Sequence, residues 1–372
     1  MPGLRVFGAP LRYVQGPGAL DSLGEIVRTR HERAVVLIDA LLVDALAGRV
    51  TASLAGAGVA ASVLAASGEV TQARIDAEAE VARAFNPTVI VAIGGGKTLD
   101  TGKGIARSLG ARMITVPTIA SNDGPTSRVI ALYDEAHRLV DTPRMDENPE
   151  AVVVDTQLIS EAPTHFLVAG IGDAAAKRFE AAACARGTGM TSNGTRPLEL
   201  ASVIADECYR LLVQDAREAL VSAERNEVSP ALERVIEAVI LMSGLAFENG
   251  GLSLAHSMTR GLLELSDVKS RLHGYHVAYG LLVQLMHEGD VESFRSTRAF
   301  FQATGLPVAL RDMGQPLSAA SADVVVQATL GAPHLANCVP VPTAISLAAA
   351  MNSVELGDVT DVALNTRREP RG

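Results

Sequence analysis

The sequence lacks several features that would suit it to nucleic acids or membranes. It contains no Trp and only 3% aromatic residues, so side chains on which bases could stack are scarce. Positive charge is also in deficit, because 42 Asp and Glu outnumber 32 Lys and Arg and give a formal net charge of −10. This balance argues against nucleic acid and against an anionic membrane surface as partners. No apolar run is long enough to cross a bilayer, and no signal peptide is predicted.

Cysteine is scarce too, with three residues at distant positions, Cys184, Cys208 and Cys338. An odd and scattered set does not form a disulfide framework and is typical of reduced thiols, so a cytoplasmic location is expected. Apolar residues, in contrast, are abundant and make up 48% of the 372 residues. That share is enough for a sizeable core in one very large domain or two ordinary ones.

The most informative stretch is residues 88–100, Thr-Val-Ile-Val-Ala-Ile-Gly-Gly-Gly-Lys-Thr-Leu-Asp. Its Val- and Ile-rich start predicts a buried strand of a parallel sheet. Three glycines permit a sharp turn and a close approach of backbone N–H groups to a ligand. A helix predicted over residues 99–109 would direct its dipole at the same point, which suits a pyrophosphate. It is not a Walker A loop, because Val91 stands where that pattern needs Gly; a tight turn without a ligand is the alternative interpretation.

Two more predicted strands end in polar residues. The strand that begins at residue 113 runs into hydroxyls, an amide and a carboxylate before residue 127. The strand over residues 33–38 ends at Asp39. Neighbouring strands that end in polar loops are typical of the ligand-binding edge of an open α/β sheet. A carboxylate at Asp39 could accept hydrogen bonds from ribose hydroxyls, or it could cap the helix that follows.

The pattern of periodicity changes near residue 161. Strand and helix patterns alternate before it, and long helical periods follow it. The sequence therefore predicts a Rossmann-like α/β domain over residues 1–161 and an all-α domain over residues 162–372. Helices in the second part are predicted over residues 168–185, 197–223, 230–248, 252–265, 273–288 and 291–303.

Three residues of the helical part are candidates for one metal site. Asp173 lies at a predicted helix start, His256 follows a Gly-Gly-Leu-Ser-Leu-Ala segment, and His273 begins another apolar helix. Two imidazoles and one carboxylate leave an open coordination position, as in catalytic zinc sites. Their spacing does not show that they meet, since Asp173 could be a helix cap and each His a buried core residue. His276 is an alternative to His273.

Five motifs in the same order resemble the glycerol dehydrogenase family, within the iron-containing alcohol dehydrogenase and dehydroquinate synthase-like superfamily. The resemblance covers about residues 10–310 and is looser beyond them. The motifs are Gly94-Gly-Gly-Lys-Thr-Leu-Asp-Thr101, Pro117-Thr-Ile-Ala-Ser-Asn-Asp123, Ala169-Gly-Ile-Gly-Asp173, Gly250-Gly-Leu-Ser-Leu-Ala-His256 and His273-Gly274.

The resemblance implies a dehydroquinate synthase-like fold, with a catalytic cleft between a nucleotide domain and a helical domain, and a ring-like homo-oligomer. It implies a metal on Asp173, His256 and His273, and a contact from Asp123 to the substrate hydroxyl. Iron-using relatives carry a fourth ligand, a His, where this chain has Lys177, so zinc is the expected metal. The NAD contacts that it implies are Asp39, Gly94, Gly95, Gly96, Lys97, Asp100, Thr118, Ser121, Ser127, Val129 and Tyr133.

The chain also departs from the glycerol dehydrogenase pattern at five positions. Lys177 and Arg178 replace uncharged residues, Arg128 replaces a small one, Thr126 replaces a cysteine, and Ile38 replaces a glycine. Positive charge beside a cationic metal is costly unless an acid or an anionic ligand offsets it. Arg128 and Lys177 either border the substrate or turn outward to solvent or to acids such as Glu180 or Glu248.

The expected function is an NAD-dependent, zinc-containing oxidoreductase that acts on a small alcohol or vicinal diol, with NAD preferred over NADP. If Arg128 and Lys177 border the substrate, it is larger or more anionic than glycerol, such as a phosphorylated polyol or a cyclitol. Two other classes stay open at this point. One is an NAD-using cyclising lyase that resembles dehydroquinate synthase, and the other is a non-catalytic NAD-binding paralogue.

Overall fold

The computed structural model of the chain describes residues 3–135 and 138–357. Strands and helices alternate in the first part, and helices follow one another from residue 156 onward. This order confirms the prediction of an α/β part followed by a helical part. Within the two described stretches, no helix is long and apolar enough to cross a membrane. The three cysteines are buried and free.

The chain forms two compact units, and each is discontinuous in sequence. The α/β unit consists of residues 8–164 and 221–244. The remaining described residues form the helical unit. The first change of unit, after residue 164, lies close to the predicted boundary after residue 161. A single boundary does not describe the chain, however, because residues 221–244 return to the α/β unit.

Hydrogen bonds explain why this returning segment belongs to the α/β unit. Gln15 donates to the Glu233 carbonyl at 2.9 Å, and the Thr156 hydroxyl donates to the Glu233 carboxylate at 2.6 Å. The Thr126 hydroxyl donates to the Ile240 carbonyl at 3.3 Å. The helical periodicity over residues 230–248 predicted the helix but carried no information about these partners.

The α/β unit is built on a six-stranded parallel sheet in the order β1-β8-β5-β4-β2-β3, beside a two-stranded ribbon of β6 and β7. Alternate residues of the central strands enter two separate apolar clusters, one on each face. Burial on both faces explains the continuous Val- and Ile-rich runs in the sequence. The strands are β1 (Arg12–Gly16), β2 (Arg33–Asp39), β3 (Ala60–Ala66), β4 (Val89–Gly94), β5 (Arg112–Pro117), β6 (Leu132–Tyr133), β7 (Leu139–Asp141) and β8 (Ala151–Asp155).

Parallel pairing brings the polar ends of three strands to one edge of this sheet. Ile38, the residue before Asp39, pairs with Ile93, and Gly94 pairs with Pro117. Asp39, the glycine turn and the residues after Pro117 therefore lie side by side. This juxtaposition is the one that the strand patterns predicted for an open α/β sheet.

The helices account for most of the rest of the described chain. Helix α4 begins directly in the glycine turn, and a short π-helix over Ala238–Met242 follows α8. The α-helices are α1 (Leu23–Arg28), α2 (Val43–Gly56), α3 (Gln72–Arg83), α4 (Gly96–Leu109), α5 (Thr156–Ser160), α6 (His165–Arg186), α7 (Glu199–Glu224), α8 (Pro230–Glu237), α9 (Ser243–Gly250), α10 (Leu254–Leu262), α11 (His273–Glu288), α12 (Val291–Thr304), α13 (Ala319–Leu330) and α14 (Ala344–Leu356).

Two glycines allow α6 and α11 to approach each other closely in the helical unit. A Cβ atom on Gly274 would lie 1.7 Å from the Ala169 carbonyl oxygen, and one on Gly172 would lie 2.6 Å from the Gly274 carbonyl oxygen. The two backbones are thus in direct contact. Asp173 and His273 are the chain neighbours of these glycines, so the close approach of the helices brings both side chains into one region.

Candidate functional site

Asp39 lies beside a cavity of about 380 Å³ in the α/β unit. Its carboxylate accepts hydrogen bonds from the Leu41 N–H at 3.0 Å and from the Thr98 hydroxyl at 3.2 Å. It therefore organises the turn ahead of α2 and also lines the cavity, so the two roles considered from the sequence are compatible. Lys97 lines the same cavity, and its ammonium pairs with Glu69 at 2.9 Å.

The glycine turn is closely packed. A Cβ atom on Gly94 would lie 2.7 Å from Thr98 Cβ and 3.0 Å from Asp39 Cβ, so only glycine fits there. Gly95 is the N-cap of α4, and Gly96 is its first residue. Their backbone N–H groups lie at the positive end of the helix dipole, where an anion is stabilised. Thr118 continues the same edge, since its N–H donates to the Gly94 carbonyl at 3.2 Å.

Lys103 organises the loop that follows β5, and the sequence reasoning did not identify it. This lysine is fully buried in α4. Its ammonium donates to Asp100 at 3.0 Å and to the carbonyls of Gly124 and Val129 at 2.8 and 3.0 Å. These bonds use all three of its donors. The position three residues after Asp100 in a helix was the only sequence signal for this pair.

Asp100 is held by protein groups on both of its oxygens. One accepts from Lys103, and the other accepts from the Ala131 N–H at 3.0 Å. We therefore interpret its place among the expected NAD contacts as support of the loop. Ser127 is buried and its hydroxyl accepts from the Val129 N–H at 3.0 Å, so it also shapes the loop.

The remaining expected contacts of the α/β unit lie on or near the same loop. The Tyr133 N–H donates to the Val70 carbonyl at 2.8 Å, which ties the β6 strand to the segment before α3. Ser121 is partly buried in the loop itself. Asp123 accepts a hydrogen bond from the Ser243 hydroxyl at 3.3 Å.

The helical unit brings the ligand atoms of Asp173, His256 and His273 within 4.8 Å of one another. Asp173 is on α6, His256 on α10, and His273 is the first residue of α11. Asp173 Oδ1 lies 3.1 Å from His256 Nε2 and 3.9 Å from His273 Nε2. Among the described residues, no hydrogen-bond partner reaches the buried Asp173 Oδ2.

Glu180 fixes the orientation of His256, and it was considered from the sequence only as a partner for Arg128 or Lys177. Its carboxylate lies 2.6 Å from His256 Nδ1 and accepts from the backbone N–H groups of Ser253 and His256 at 2.8 and 3.0 Å. Glu180 lies seven residues after Asp173, two turns along the same helix face, which is the pattern that could have identified it. With Nδ1 bound to a carboxylate, His256 presents Nε2 to the cluster, as in carboxylate–histidine–metal arrangements.

In the absence of a metal, the charges of the cluster favour an ionised Asp173 and a protonated His256. Burial opposes ionisation of Asp173, but Lys177 and His256 outweigh it and hold the pKa of Asp173 well below its usual value. Burial also lowers the pKa of His256, but Glu180 and Asp173 outweigh that effect and raise it to about 9. A metal ion binds the neutral imidazole, so metal binding would release this proton. An oriented His, an ionised Asp and an unpartnered Asp oxygen fit a metal ion.

Lys177 points into the cluster and not outward. Its side chain is 1% exposed, and its ammonium lies 2.7 Å from Asp173 Oδ1 and 3.2 Å from His256 Nε2. The alternative in which Lys177 turns to solvent is therefore wrong. Arg178, the next residue, does turn outward and pairs with Asp206 at 3.0 Å on the protein surface.

The other departures from the family pattern have local structural roles in the α/β unit. Ile38 is fully buried in the apolar cluster beneath the sheet. The Thr126 hydroxyl, buried against Gly244, donates to backbone carbonyls of the unit. The Arg128 guanidinium donates to the Asp146 carbonyl at 3.4 Å.

His276 does not join the metal-ligand cluster. It is buried, and its Nε2 lies 2.8 Å from the Val268 carbonyl oxygen, to which it donates. Burial lowers the pKa of His276, so it is the neutral core histidine that served as the alternative to His273.

Comparison with known proteins identifies relatives that match most of the chain. Residues 14–163 match the family model described as iron-containing alcohol dehydrogenase. The glycerol dehydrogenase of Escherichia coli is 37% identical over 310 residues, which cover 83% of this chain and 84% of that protein. The glycolaldehyde reductase of Halobacterium salinarum is 35% identical over 83% of this chain and 85% of that protein.

Solved structures give the same result for the fold. The crystal structure of glycerol dehydrogenase from Schizosaccharomyces pombe superposes with a TM-score of 0.91 at 31% sequence identity. The superposition covers 99% of this chain and 94% of that chain. The resemblance inferred from the five motifs is confirmed, and it extends through the C-terminal region where the motifs were looser.

Proposed function

The chain belongs to the glycerol dehydrogenase family of the iron-containing alcohol dehydrogenases, and from this premise we propose a specific reaction. The protein is an NAD-dependent alcohol dehydrogenase. It oxidises a small polyol that contains a vicinal diol, such as glycerol, to the corresponding ketone, and it catalyses the reverse reaction. Zinc is the proposed metal, since three protein ligands and an open position are typical of catalytic zinc. The names of its relatives, dehydrogenases and a reductase, do not favour the cyclising lyase.

The observation that carries this proposal is the convergence of Asp173, His256 and His273, whose ligand atoms lie within 4.8 Å of one another. When bound, the metal would supply a Lewis acid that lowers the pKa of a substrate hydroxyl, and NAD would supply the hydride acceptor. The residues themselves hold the ligand geometry. Glu180 orients His256, and ionised Asp173 provides the negative oxygen. An intact ligand set of this kind also argues against a non-catalytic paralogue.

The α/β unit is the proposed NAD site. The N-terminus of α4 would bind the pyrophosphate through backbone N–H groups, and the Asp39 carboxylate would accept from the ribose hydroxyls. Lys103 and Asp100 would keep the loop after β5 in place. The remaining proposed cofactor contacts are Gly94, Gly95, Gly96, Lys97, Thr118, Ser121, Ser127, Val129 and Tyr133.

The proposed substrate contact is Asp123, through its carboxylate and a substrate hydroxyl. The Ser243 hydroxyl donates to this carboxylate and so supports its orientation within the α/β unit. Glycerol is the first candidate substrate, because relatives at 34–37% identity are named glycerol dehydrogenases. The buried positive charge of Lys177 keeps a phosphorylated polyol as a second candidate substrate, since an anionic substrate would offset that charge. A cyclitol, which is larger than glycerol but neutral, is a third candidate.

A cytoplasmic homo-oligomer is the proposed form of the protein. Helix α7 carries exposed apolar side chains, among them Leu200 at 53%, Val203 at 62% and Val213 at 50% exposure. Apolar side chains grouped on a surface support an association interface. Buried free thiols suit a reducing compartment. Light scattering coupled to size exclusion tests the oligomeric state.

A pair of histidine variants tests the metal site and the activity together. His273→Ala is expected to lose the metal and the oxidation of diols, while NAD still binds. His276→Ala is the matched control, and it should keep both because His276 bonds only to the Val268 carbonyl in the described structure. Elemental analysis that finds full metal in His273→Ala and none in His276→Ala would overturn the assignment.

A further inference from the structure

We infer that Lys177 is a built-in cation that competes with the metal for Asp173 and His256. The inference rests on the metal site of the proposed function. It states that the site binds a divalent metal more weakly than the same three ligands would with a neutral residue at position 177. Metal binding is then an exchange, in which the ammonium gives up its contacts with Asp173 and His256 as the ion takes them.

The contacts of Lys177 are the first support. Its ammonium lies 2.7 Å from Asp173 Oδ1 and 3.2 Å from His256 Nε2, and both are expected ligand atoms. With Nδ1 bound to Glu180, the neutral form of His256 that binds metal has a single lone pair, on Nε2. An N–H of Lys177 and a metal ion would use that same lone pair. The ammonium and the ion therefore exclude each other at His256.

The charge balance is the second support. Asp173 and Glu180 are both fully buried and bring two negative charges to the cluster. A divalent ion bound to Asp173 would lie beside the ammonium of Lys177, which is also buried and lies 2.7 Å from Asp173 Oδ1. Like charges at such a short distance repel each other, and the repulsion is stronger in a buried site than in water. Movement of Lys177, or an anion that binds together with the metal, would relieve this repulsion, and either requirement weakens the binding of the metal by itself.

The surroundings of Lys177 hold it in place. It emerges one turn after Asp173 on the same face of α6, so the two side chains meet without any change in the backbone. The centre of the Phe247 ring lies 6.0 Å from the ammonium. Arg178 provides a comparison for Lys177. It is the next residue in α6, but its guanidinium lies on the protein surface and pairs with Asp206.

The test is a zinc titration of the metal-free protein against a chromophoric chelator. Lys177→Met and Lys177→Gln each remove the charge, and both are expected to bind zinc at least about tenfold more tightly than the unchanged protein. Arg178→Met removes a neighbouring surface charge and should leave zinc affinity within about twofold, as expected for an exposed pair. If Lys177→Met does not fold, Lys177→Gln decides the result.

Thermal unfolding gives a second readout. Without metal, Lys177→Met should have a lower Tm than the unchanged protein, because Asp173 loses one of its cationic partners in a buried site. Added zinc should raise the Tm of this variant by more than it raises that of the unchanged protein, since stabilisation follows affinity.

Two results would overturn the inference while leaving the metal site intact: equal zinc affinity in all the proteins, or weaker affinity in both Lys177 variants. If zinc binds to none of them, including the unchanged protein, the metal site of the proposed function fails and the inference fails with it. Zinc binding by the unchanged protein therefore distinguishes failure of the inference from failure of the proposed metal site.

Discussion

At the scale of single residues, the site depends on partners that place the functional groups. Glu180 sets the orientation of His256 through three hydrogen bonds, although it contributes no expected ligand atom. The Asp39 carboxylate is likewise held in place by hydrogen bonds from Leu41 and Thr98. For both carboxylates, the position of the side chain and its negative charge can be tested separately. An amide of the same shape keeps the position and removes the charge.

Glu180→Gln should weaken zinc binding by about 10–100-fold, the range found when partners of metal-ligating histidines are removed. The amide keeps the size of the side chain but loses the charge that raises the basicity of His256. Zinc affinity of the metal-free protein measures the effect. Glu207→Gln, which changes an exposed pair with Arg210 on α7, is the control and should bind zinc unchanged. Equal affinity in Glu180→Gln and Glu207→Gln would contradict this role for Glu180.

Asp39→Ala should reduce the preference for NAD over NADP by about tenfold or more, because a carboxylate beside the ribose repels a 2′-phosphate. Asp39→Asn keeps the shape without the charge and should gain NADP activity with a smaller loss of NAD activity. The ratio of kcat/KM for the two cofactors is the measurement. An unchanged protein that uses both cofactors equally would show that Asp39 does not select NAD.

At the scale of secondary-structure elements, the loop after β5 depends on α4. Lys103 is fully buried and ties Asp100 to the carbonyls of Gly124 and Val129. The loop therefore takes its shape from a helix that precedes it in the chain. Because the proposed cofactor and substrate contacts lie on this loop, its order is a condition for function.

Lys103→Met should cost about 3–5 kcal/mol, the range for removing one partner of a buried ion pair, and lower the Tm by roughly 10 °C. The loss leaves Asp100 and two carbonyls without their donor. Lys97→Met is the control within the same helix. Lys97 is 58% exposed and pairs with Glu69, so its loss should change stability little while weakening NAD binding. Equal Tm values for the two variants would contradict the role of Lys103.

The elements also show what the sequence could and could not reveal. Apolar runs predicted the central strands, and the helix over residues 273–288 has the bounds that periodicity gave it. Only the family resemblance predicted that Asp173, His256 and His273 belong to one metal site. Helical spacing could place Lys103 near Asp100 and Glu180 on the face of Asp173, but it could not reveal the contacts of Lys103, Glu180 and residues 221–244 with distant segments, because packing sets the approach of those segments.

Two C-terminal helices were not predicted individually, although their starts carry a readable pattern. Helices α13 and α14 begin after Ser318 and Thr343, and in each case a Ser three residues later completes a reciprocal cap. The usual form of this pattern has Glu or Gln at the later position. A search for that form alone does not find these two helix starts.

At the scale of the whole molecule, each of the two units carries one of the proposed sites. The α/β unit has a cavity, a glycine turn and a supported loop, where we propose that NAD binds, and the helical unit has the ligand cluster proposed for a metal. Net charge and composition argue against nucleic acid and anionic membrane partners but do not select among small polyols. In the proposed function, Lys177 is a candidate for that selection.

The central claim is that this chain oxidises a vicinal diol with NAD in a reaction that requires the metal on Asp173, His256 and His273. The most direct measurement is NADH formation from glycerol and related diols before chelation, after removal of metal, and after zinc is restored. We expect turnover to disappear with the metal and to return with zinc, and Asp173→Ala to remain inactive throughout. Undiminished turnover in protein that elemental analysis shows to be free of metal would contradict the account.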